Sequence, residues 1–299
     1  MYKKVLFFFF VILVASCHSP DTTETVDFII PDSIFAKRSL SPIEKSVDEI
    51  ISSIASPIEM SVLLSNNKIP FSLKYIYPIE NINEYKTNYK KAIAFGILLS
   101  DLGYMSIYNK IPHAFNCVTQ ISNLADRLKI QHFYDVESIK KLISGSKKID
   151  SLLYVTISGY NRMNTVLLKN KRRDICALIA SGVWIENLYF ATQIVKENPN
   201  KNIIERIGEQ KLILSQLVII LKTLDVDKNI TNLINNLEDL KKDFAEIKIS
   251  YILEEPEPYE KNNKLIIVPN EISVVEIPKK NLTAIIEKVE DIRNNLIWK

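Results

Sequence analysis

The stretch that decides the fold is residues 175–195, ICALIASGVWIENLYFATQIV. Its first half is apolar or small at nearly every position, so a helix here has no face suited to water. Such a helix is either a buried core helix or a membrane span, and about 20 residues would just cross a bilayer. Glu186 and Gln193 argue against the span, because a carboxylate at the membrane centre costs roughly 2.5 kcal/mol or more. We therefore expect a buried core helix.

Glu186 is the most informative residue of this helix. At helical spacing it lies on one line with Gly182, Tyr189 and Gln193. A buried carboxylate must be paired, hydrogen-bonded or protonated. Glu186 is thus either a satisfied core carboxylate that orients neighbouring helices or the polar centre of a ligand pocket, and we favour the first interpretation.

Residues 94–106, AFGILLSDLGYMS, resemble residues 180–192, ASGVWIENLYFAT. Aligned without gaps, Gly96 meets Gly182 and Asp101 meets Asn187. The match indicates either an old duplication or two core helices under the same packing demand. Because so short a match is weak evidence for a repeat, we favour the packing explanation.

Further polar residues could surround Glu186. Asp101, Tyr104 and Tyr108 share one face of their predicted helix. Arg162, in the polar middle of another helix, is a candidate partner for Asp101 or Glu186. The candidate polar core or pocket consists of Asp101, Tyr104, Tyr108, Arg162, Glu186, Asn187 and Tyr189.

The N-terminus has the pattern of an export leader. Lys3 and Lys4 precede an apolar run that is too short to span a membrane. The sequence Val14-Ala15-Ser16-Cys17 resembles a bacterial lipobox, which implies cleavage before Cys17 and lipidation of that cysteine. The alternative is an ordinary secretory leader cut nearby. We expect a signal peptide over 1–16, a lipidated tether over 17–40, and the membrane as a partner through Cys17.

The acidic residues of the tether bear on where the protein is placed. In some Gram-negative bacteria such residues after the lipidated cysteine mark lipoproteins for the cell surface, but here they are scattered. The expected location is the cell envelope, at the outer membrane, with the periplasmic and surface-facing orientations both open.

The order of elements follows from caps, breakers and apolar spacing. The tetrapeptide Ser-Pro-Ile-Glu at 41–44 and 56–59 is typical of a helix start. We predict a loop at 71–82, a linker at 254–260 and short extended runs at 265–268 and 272–277. Helices are predicted at 42–53, 57–65, 87–110 (starting at Asn83 or Thr87), 112–129, 136–144, 151–168, 203–224, 230–249 and 279–298.

Composition and the missing motifs narrow the function. The chain has 299 residues, 47% hydrophobic and 24% charged, and a net charge of +3, which does not suggest a nucleic-acid partner. We expect Cys117 and Cys176 to be buried thiols, with a disulfide as the alternative. No metal-ligand spacing, nucleophile elbow or phosphate loop is present, so neither a metal nor a cofactor is expected. Catalysis is left uncertain, and we favour a protein that is not an enzyme.

Three segments, SPIEMSVLL, KAIAFGILLSDLGYMSIYNK and LIASGVWIENLYFA, together resemble a family of uncharacterised, all-helical lipoproteins of Gram-negative bacteria. The resemblance covers about 56–192. It implies the fold class and the location, and it carries no known catalytic or binding residues.

The sequence thus predicts an all-α fold, an antiparallel helical bundle around a buried central helix, with room for a small C-terminal β-hairpin. The helical domain spans 41–253, and the linker, extended runs and closing helix of 254–299 pack on it. The leading hypothesis is a lipid-anchored binding or scaffolding module with an envelope protein as partner. The alternatives are a small-molecule binder with a polar pocket near Glu186 and an envelope hydrolase using paired carboxylates.

Overall fold

The structure is a computed structural model that describes residues 42–54, 56–78, 85–131, 149–224, 228–261 and 264–298. The predicted leader, the tether and the helix at 136–144 lie outside the described residues. Contacts between Cα atoms divide the chain into Met1–Ser41 and Pro42–Lys299, and all of the described residues belong to the second unit.

Within the described residues the fold has nine α-helices and one two-stranded sheet, which confirms the predicted all-α class with a small hairpin. In chain order the elements are α1 Pro42–Ser53, α2 Glu59–Asn66, a 3₁₀ turn Leu73–Tyr75, α3 Asn88–Ile107, α4 Ile111–Leu128, α5 Ile149–Lys169, α6 Arg173–Glu197, α7 Lys201–Thr223, α8 Lys228–Asp243, β1 Lys248–Lys261, β2 Lys264–Glu276 and α9 Lys279–Trp298.

The central stretch forms α6, and every residue from Ile175 to Val195 is buried. It is the one helix of the described residues that is long and apolar enough to cross a membrane, and its most apolar window is wholly buried. The helices α2, α3, α5, α7 and α9 pack around it. The structure therefore places the stretch as the core helix of the fold.

Side-chain caps fix several helix starts. Thr87 accepts a hydrogen bond from the Lys90 backbone N–H at 3.2 Å and begins α3. The Asn200 side chain accepts a hydrogen bond from the Ile203 backbone N–H at 3.2 Å and begins α7. Because such caps satisfy backbone donors that have no partner within the helix, these starts were predictable from the sequence to within a few residues.

The start of α2 differs from the prediction. The helix begins at Glu59 after Ile58, and Ser56 does not cap it. The Ser56 carbonyl instead accepts a hydrogen bond from the Asn187 side chain at 2.9 Å, and the Glu59 carboxylate pairs with Arg206. The pair with Arg206 therefore engages the carboxylate that a capping box would have used to accept from the Ser56 backbone N–H.

The C-terminal part also differs from the prediction. The helix predicted at 230–249 ends at Asp243, after which Phe244 and Ile247 are buried from a turn. The predicted linker 254–260 lies within β1, the predicted extended run 265–268 lies within β2, and the run 272–277 extends one residue past the end of β2. The strands pair antiparallel from Lys248 opposite Glu276 to Lys261 opposite Lys264, with a bulge between Glu254 and Glu257. The helical spacing of apolar residues thus continues past the end of α8, which explains the overlong helix prediction. The extent of the two strands depends on their pairing with each other.

The two similar segments of the sequence pack directly against each other as α3 and α6. A Cβ added to Gly96 would lie 2.1 Å from the Ile179 carbonyl oxygen, and one added to Gly182 would lie 2.2 Å from that of Ile93. Only glycine permits two helix backbones to approach this closely. The resemblance between the segments therefore coincides with a shared packing demand at one helix crossing.

The α3–α6 pair runs in the same direction along the chain. Gly96 contacts Gly182 near the middle of both helices, and eight residues further along each helix the Tyr104 ring stacks on Phe190 with centroids 4.9 Å apart. By contrast α6 and α9 are antiparallel, because Glu186 pairs with Arg293 while Lys196, later in α6, pairs with Glu290. The expected antiparallel arrangement therefore does not extend to the two central helices.

Candidate functional site

A buried cluster of charged side chains lies next to the close crossing of α3 and α6. Glu186 on α6 accepts two hydrogen bonds from the guanidinium of Arg293 on α9: Nε donates to Oε2 at 3.0 Å and Nη2 donates to Oε1 at 2.9 Å. The Glu186 side chain is fully buried and that of Arg293 is 5% exposed. Such a two-point pair fixes the orientation of both side chains and anchors the C-terminal helix to the core.

Two aromatic rings enclose the Arg293 guanidinium. Its central carbon lies 4.6 Å from the centroid of Tyr77 and 4.4 Å from that of Tyr189. Arg293 Nη2 also donates to the Tyr75 carbonyl at 3.4 Å. The cation is therefore held by a carboxylate, two ring faces and a backbone oxygen, which together replace much of the water lost on burial.

Asp101 completes the cluster from α3. Its Oδ2 accepts a hydrogen bond from the Tyr77 backbone N–H at 3.1 Å. Within the described residues its buried Oδ1 has no donor in reach. Burial raises the pKa of Asp101 well above its usual range, and the neighbouring Glu186 carboxylate raises it further. A proton on Oδ1 can then be donated toward Glu186.

The two carboxyl groups differ in what stabilises their ionised forms. Burial raises the pKa of Glu186, while the charge and hydrogen bonds of Arg293 act in the opposite direction. The charge of Arg293 therefore favours the ionised form of Glu186, whereas burial and the Glu186 carboxylate favour the protonated form of Asp101. In this state the cluster has no net charge, which a fully buried position requires.

We expect Asp101→Asn to flatten the dependence of stability on pH. An aspartic acid in the unfolded chain ionises near pH 3.9, whereas folded Asp101 keeps its proton to higher pH. Folding therefore takes up a proton above about pH 4, and the free energy of unfolding falls as pH rises, by up to about 1.4 kcal/mol per pH unit. Asparagine can make the same hydrogen bonds without ionising.

Urea unfolding of the wild type and Asp101→Asn at pH 5 and pH 8 measures this difference. The wild type should lose more stability between the two pH values than the variant. Asp126→Asn, a change at an exposed carboxyl on α4, is the matched control and should leave the wild-type difference unchanged. An Asp101→Asn variant with the wild-type pH dependence would show that Asp101 is ionised in the folded protein.

The structure brings Asp101, Glu186 and Tyr189 together, as the sequence predicted, but not the other candidates. Asn187 donates to the Ser56 carbonyl and fixes the segment before α2. Arg162 is exposed on α5, so the expected pairing with Asp101 or Glu186 is corrected: the guanidinium at Glu186 belongs to Arg293.

Tyr104 and Tyr108 hold the loop before α3 in place. The Tyr104 hydroxyl accepts a hydrogen bond from the Ser72 backbone N–H at 3.0 Å, and the Tyr108 hydroxyl donates to the Ile69 carbonyl at 2.7 Å. The Phe71 ring stacks on Tyr104 with centroids 5.0 Å apart. Tyr75 and Tyr77 in the same loop are also buried, so the loop packs on the core.

Sequence reasoning missed Arg293 as a member of the cluster. It lies 107 residues from Glu186 along the chain, so no local spacing links the two. A signal was nevertheless present, because Arg293 continues the apolar row of Ile286 and Val289 at helical spacing. A lone arginine on the buried stripe of an amphipathic helix predicts a buried acidic partner.

The remaining candidate reactive groups of the described residues are possible metal ligands and two cysteines. No group of three or more His, Cys, Asp or Glu side chains there could hold a metal ion. Cys117 and Cys176 are free and buried, and they donate to the Leu98 carbonyl at 3.3 Å and to Asn164 Oδ1 at 3.4 Å. Burial raises the pKa of both thiols, which disfavours the reactive thiolate.

Comparison with known proteins gives no further guide to this site. No family model, curated protein or solved structure matches the chain. Its function is therefore inferred from the residues of this chain and their geometry.

Proposed function

We propose that this protein is a lipid-anchored binding or scaffolding module of the bacterial cell envelope. The observation that supports the proposal is the sealed charged cluster. Asp101 and Glu186 are fully buried, and Arg293 with its two tyrosine rings covers them. Carboxyl groups without access to solvent neither bind nor hydrolyse a soluble substrate, which leaves recognition to the surface.

The cluster then has a structural role that suits a scaffold. It links three helices, α3, α6 and α9, with the loop before α3 that carries Tyr77. Buried polar groups that are paired favour one arrangement of the packed helices over others. A rigid body of this kind presents a fixed surface to a partner.

The lipobox and tether support an envelope location for this body. Lipidated Cys17 would provide the anchor, since acyl chains contribute about 0.8 kcal/mol per buried CH₂ group and several chains give lasting attachment. We place the protein at the outer membrane, in agreement with the lipoprotein family that its sequence resembles. Residues 18–40 would then connect the anchor to the folded body.

Photo-crosslinking in intact cells tests the scaffolding role. A photoreactive phenylalanine analogue is placed at one of three exposed apolar positions, Phe115, Tyr154 or Leu212, in the full-length protein. We expect a discrete adduct of higher mass from at least one position. Glu287, exposed on α9, is the control for random collisions. Adducts no stronger than those from Glu287 at all three positions would contradict a scaffolding role.

We expect Cys17→Ala to release the protein from the membrane pellet into the soluble fraction. The substitution removes the thiol that carries the acyl chains, and with it the apolar attachment to the bilayer. Fractionation of cells followed by immunoblotting measures the distribution. Cys117→Ala, which removes a buried thiol of α4, is the control and should stay in the pellet. A Cys17→Ala protein that remains in the pellet after an alkaline carbonate wash would contradict lipid anchoring.

A further inference from the structure

A groove of about 460 Å³ lies beside the buried cluster, between the loop before α3 and one face of α4. Tyr77, whose ring covers Arg293, forms part of the lining. The volume is within the range of about 300–1,000 Å³ that is typical of ligand sites. The groove thus shares Tyr77 with the sealed cluster, and the proposed function assigns it no role.

One wall of the groove is aliphatic. Leu73, Ile76 and Met105 contribute it, with Pro112 at the start of α4. The Leu73 side chain is half exposed, although Tyr75 in the same 3₁₀ turn is buried. A large apolar side chain held in water at the rim of a groove gains free energy when a ligand covers it.

The opposite wall carries neutral hydrogen-bonding groups. His113, Asn116 and Gln120 follow one face of α4 at helical spacing and all line the groove. Within the part of the chain that the structure describes, the His113 and Asn116 side chains make no hydrogen bond to protein, and Gln120 makes one long contact of 3.4 Å with Asn123. These groups are therefore available to a ligand.

The charge and length of the polar wall limit the class of ligand. None of the described residues that line the groove is Asp, Glu, Lys or Arg. A carboxamide offers one acceptor and two donors, which matches the paired donor and acceptor of a peptide group. The row from His113 to Gln120 extends about 10 Å, the length of about three residues of an extended chain.

We infer that the groove binds an uncharged, extended peptide segment with an aliphatic side chain. The side chain enters between Leu73, Ile76 and Met105, and the peptide groups pair with Asn116 and Gln120. A saccharide fits less well, because the described apolar lining residues are mainly aliphatic and the Tyr77 ring is buried against Arg293. The inference rests on the proposed binding role but not on the lipid anchor.

A photoreactive tripeptide tests the inference on the full-length protein in detergent micelles. The probe is acetyl-alanyl-photoleucyl-alanyl-amide, and mass spectrometry locates the crosslinked residue. We expect crosslinks on the loop at 71–77, on Met105 or on α4. The double variant Asn116→Ala, Gln120→Ala should lower the crosslink yield at least fivefold. Asn161→Ala, an exposed asparagine on α5, should stay within twofold of wild type.

Competition separates the ligand classes. The unlabelled neutral tripeptide with leucine should suppress labelling, whereas the same peptide with aspartate on both sides and the disaccharide chitobiose should not. Suppression by chitobiose, crosslinks spread over other surfaces, or a double variant with the wild-type yield would each overturn the inference. If the groove inference fails, adducts in intact cells from Tyr154 or Leu212 would still support the proposed scaffolding role. Failure of the groove inference can therefore be told apart from failure of the scaffolding proposal.

Discussion

Replacing Arg293 with methionine is expected to lower the free energy of unfolding by about 3–5 kcal/mol at neutral pH. Methionine fills much of the space between Tyr77 and Tyr189 but leaves the Glu186 carboxylate buried without its cation. An uncompensated buried charge is among the costliest defects in a folded protein. Chemical unfolding followed by circular dichroism measures the loss.

Two further variants separate the charge from the loss of packing. Glu186→Gln combined with Arg293→Met removes both charges and should recover part of the loss, since the effects of two contacting residues are not additive. Lys280→Met breaks an exposed pair with Glu246 and should change stability by less than about 0.5 kcal/mol. An Arg293→Met loss below about 1 kcal/mol would mean that the pair does not hold α9 in place.

Gly182→Ala is the second change with a large expected effect, a loss of about 3 kcal/mol or more. Its Cβ would lie 2.2 Å from the Ile93 carbonyl oxygen and 3.2 Å from the Gly96 Cα. Both are backbone atoms, which cannot rotate away, so the two helices must separate along the crossing. Alanine favours a helix over glycine by about 1 kcal/mol, and the clash outweighs that gain. Thermal and urea unfolding measure the net effect.

Gly208→Ala on α7 is the matched control. Its Cβ would meet the ends of the Val275 and Ile277 side chains, which can shift. We expect a change within about 1 kcal/mol, because helix propensity offsets the repacking. Equal losses for the two alanine variants would mean that the α3–α6 crossing tolerates separation and that glycine is not required there.

The sequence predicted elements well where the signal is local. Helix α1 begins at Pro42 and α9 spans Lys279–Trp298, as proline placement and apolar spacing indicated. The prediction failed where a distant group engages a side chain that the local pattern needs, as at Glu59, whose carboxylate pairs with Arg206 on α7. The predicted end of α8 was wrong for a related reason. The buried residues Phe244 and Ile247 continue the helical spacing of apolar residues although they lie in a turn.

The site was predicted only in part. Glu186 stood out because a carboxylate within an apolar helix needs a partner, and the structure supplies one. The partner itself could not be derived, since both Arg162 and Arg293 lie outside any local pattern that includes Glu186. The contact of Tyr77 with the arginine likewise depends on how α9 docks.

The sequence by itself determined the all-α class, the buried central helix and the demand for a charge partner at Glu186. These follow from local spacing and from the free-energy cost of exposing apolar groups or burying an unpaired charge. Tertiary structure alone decided the parallel direction of α3 and α6, the choice of Arg293, the proton on Asp101 and the groove beside Tyr77. Those features arise where segments far apart in the chain meet, and their energies depend on distances that spacing along the chain does not contain.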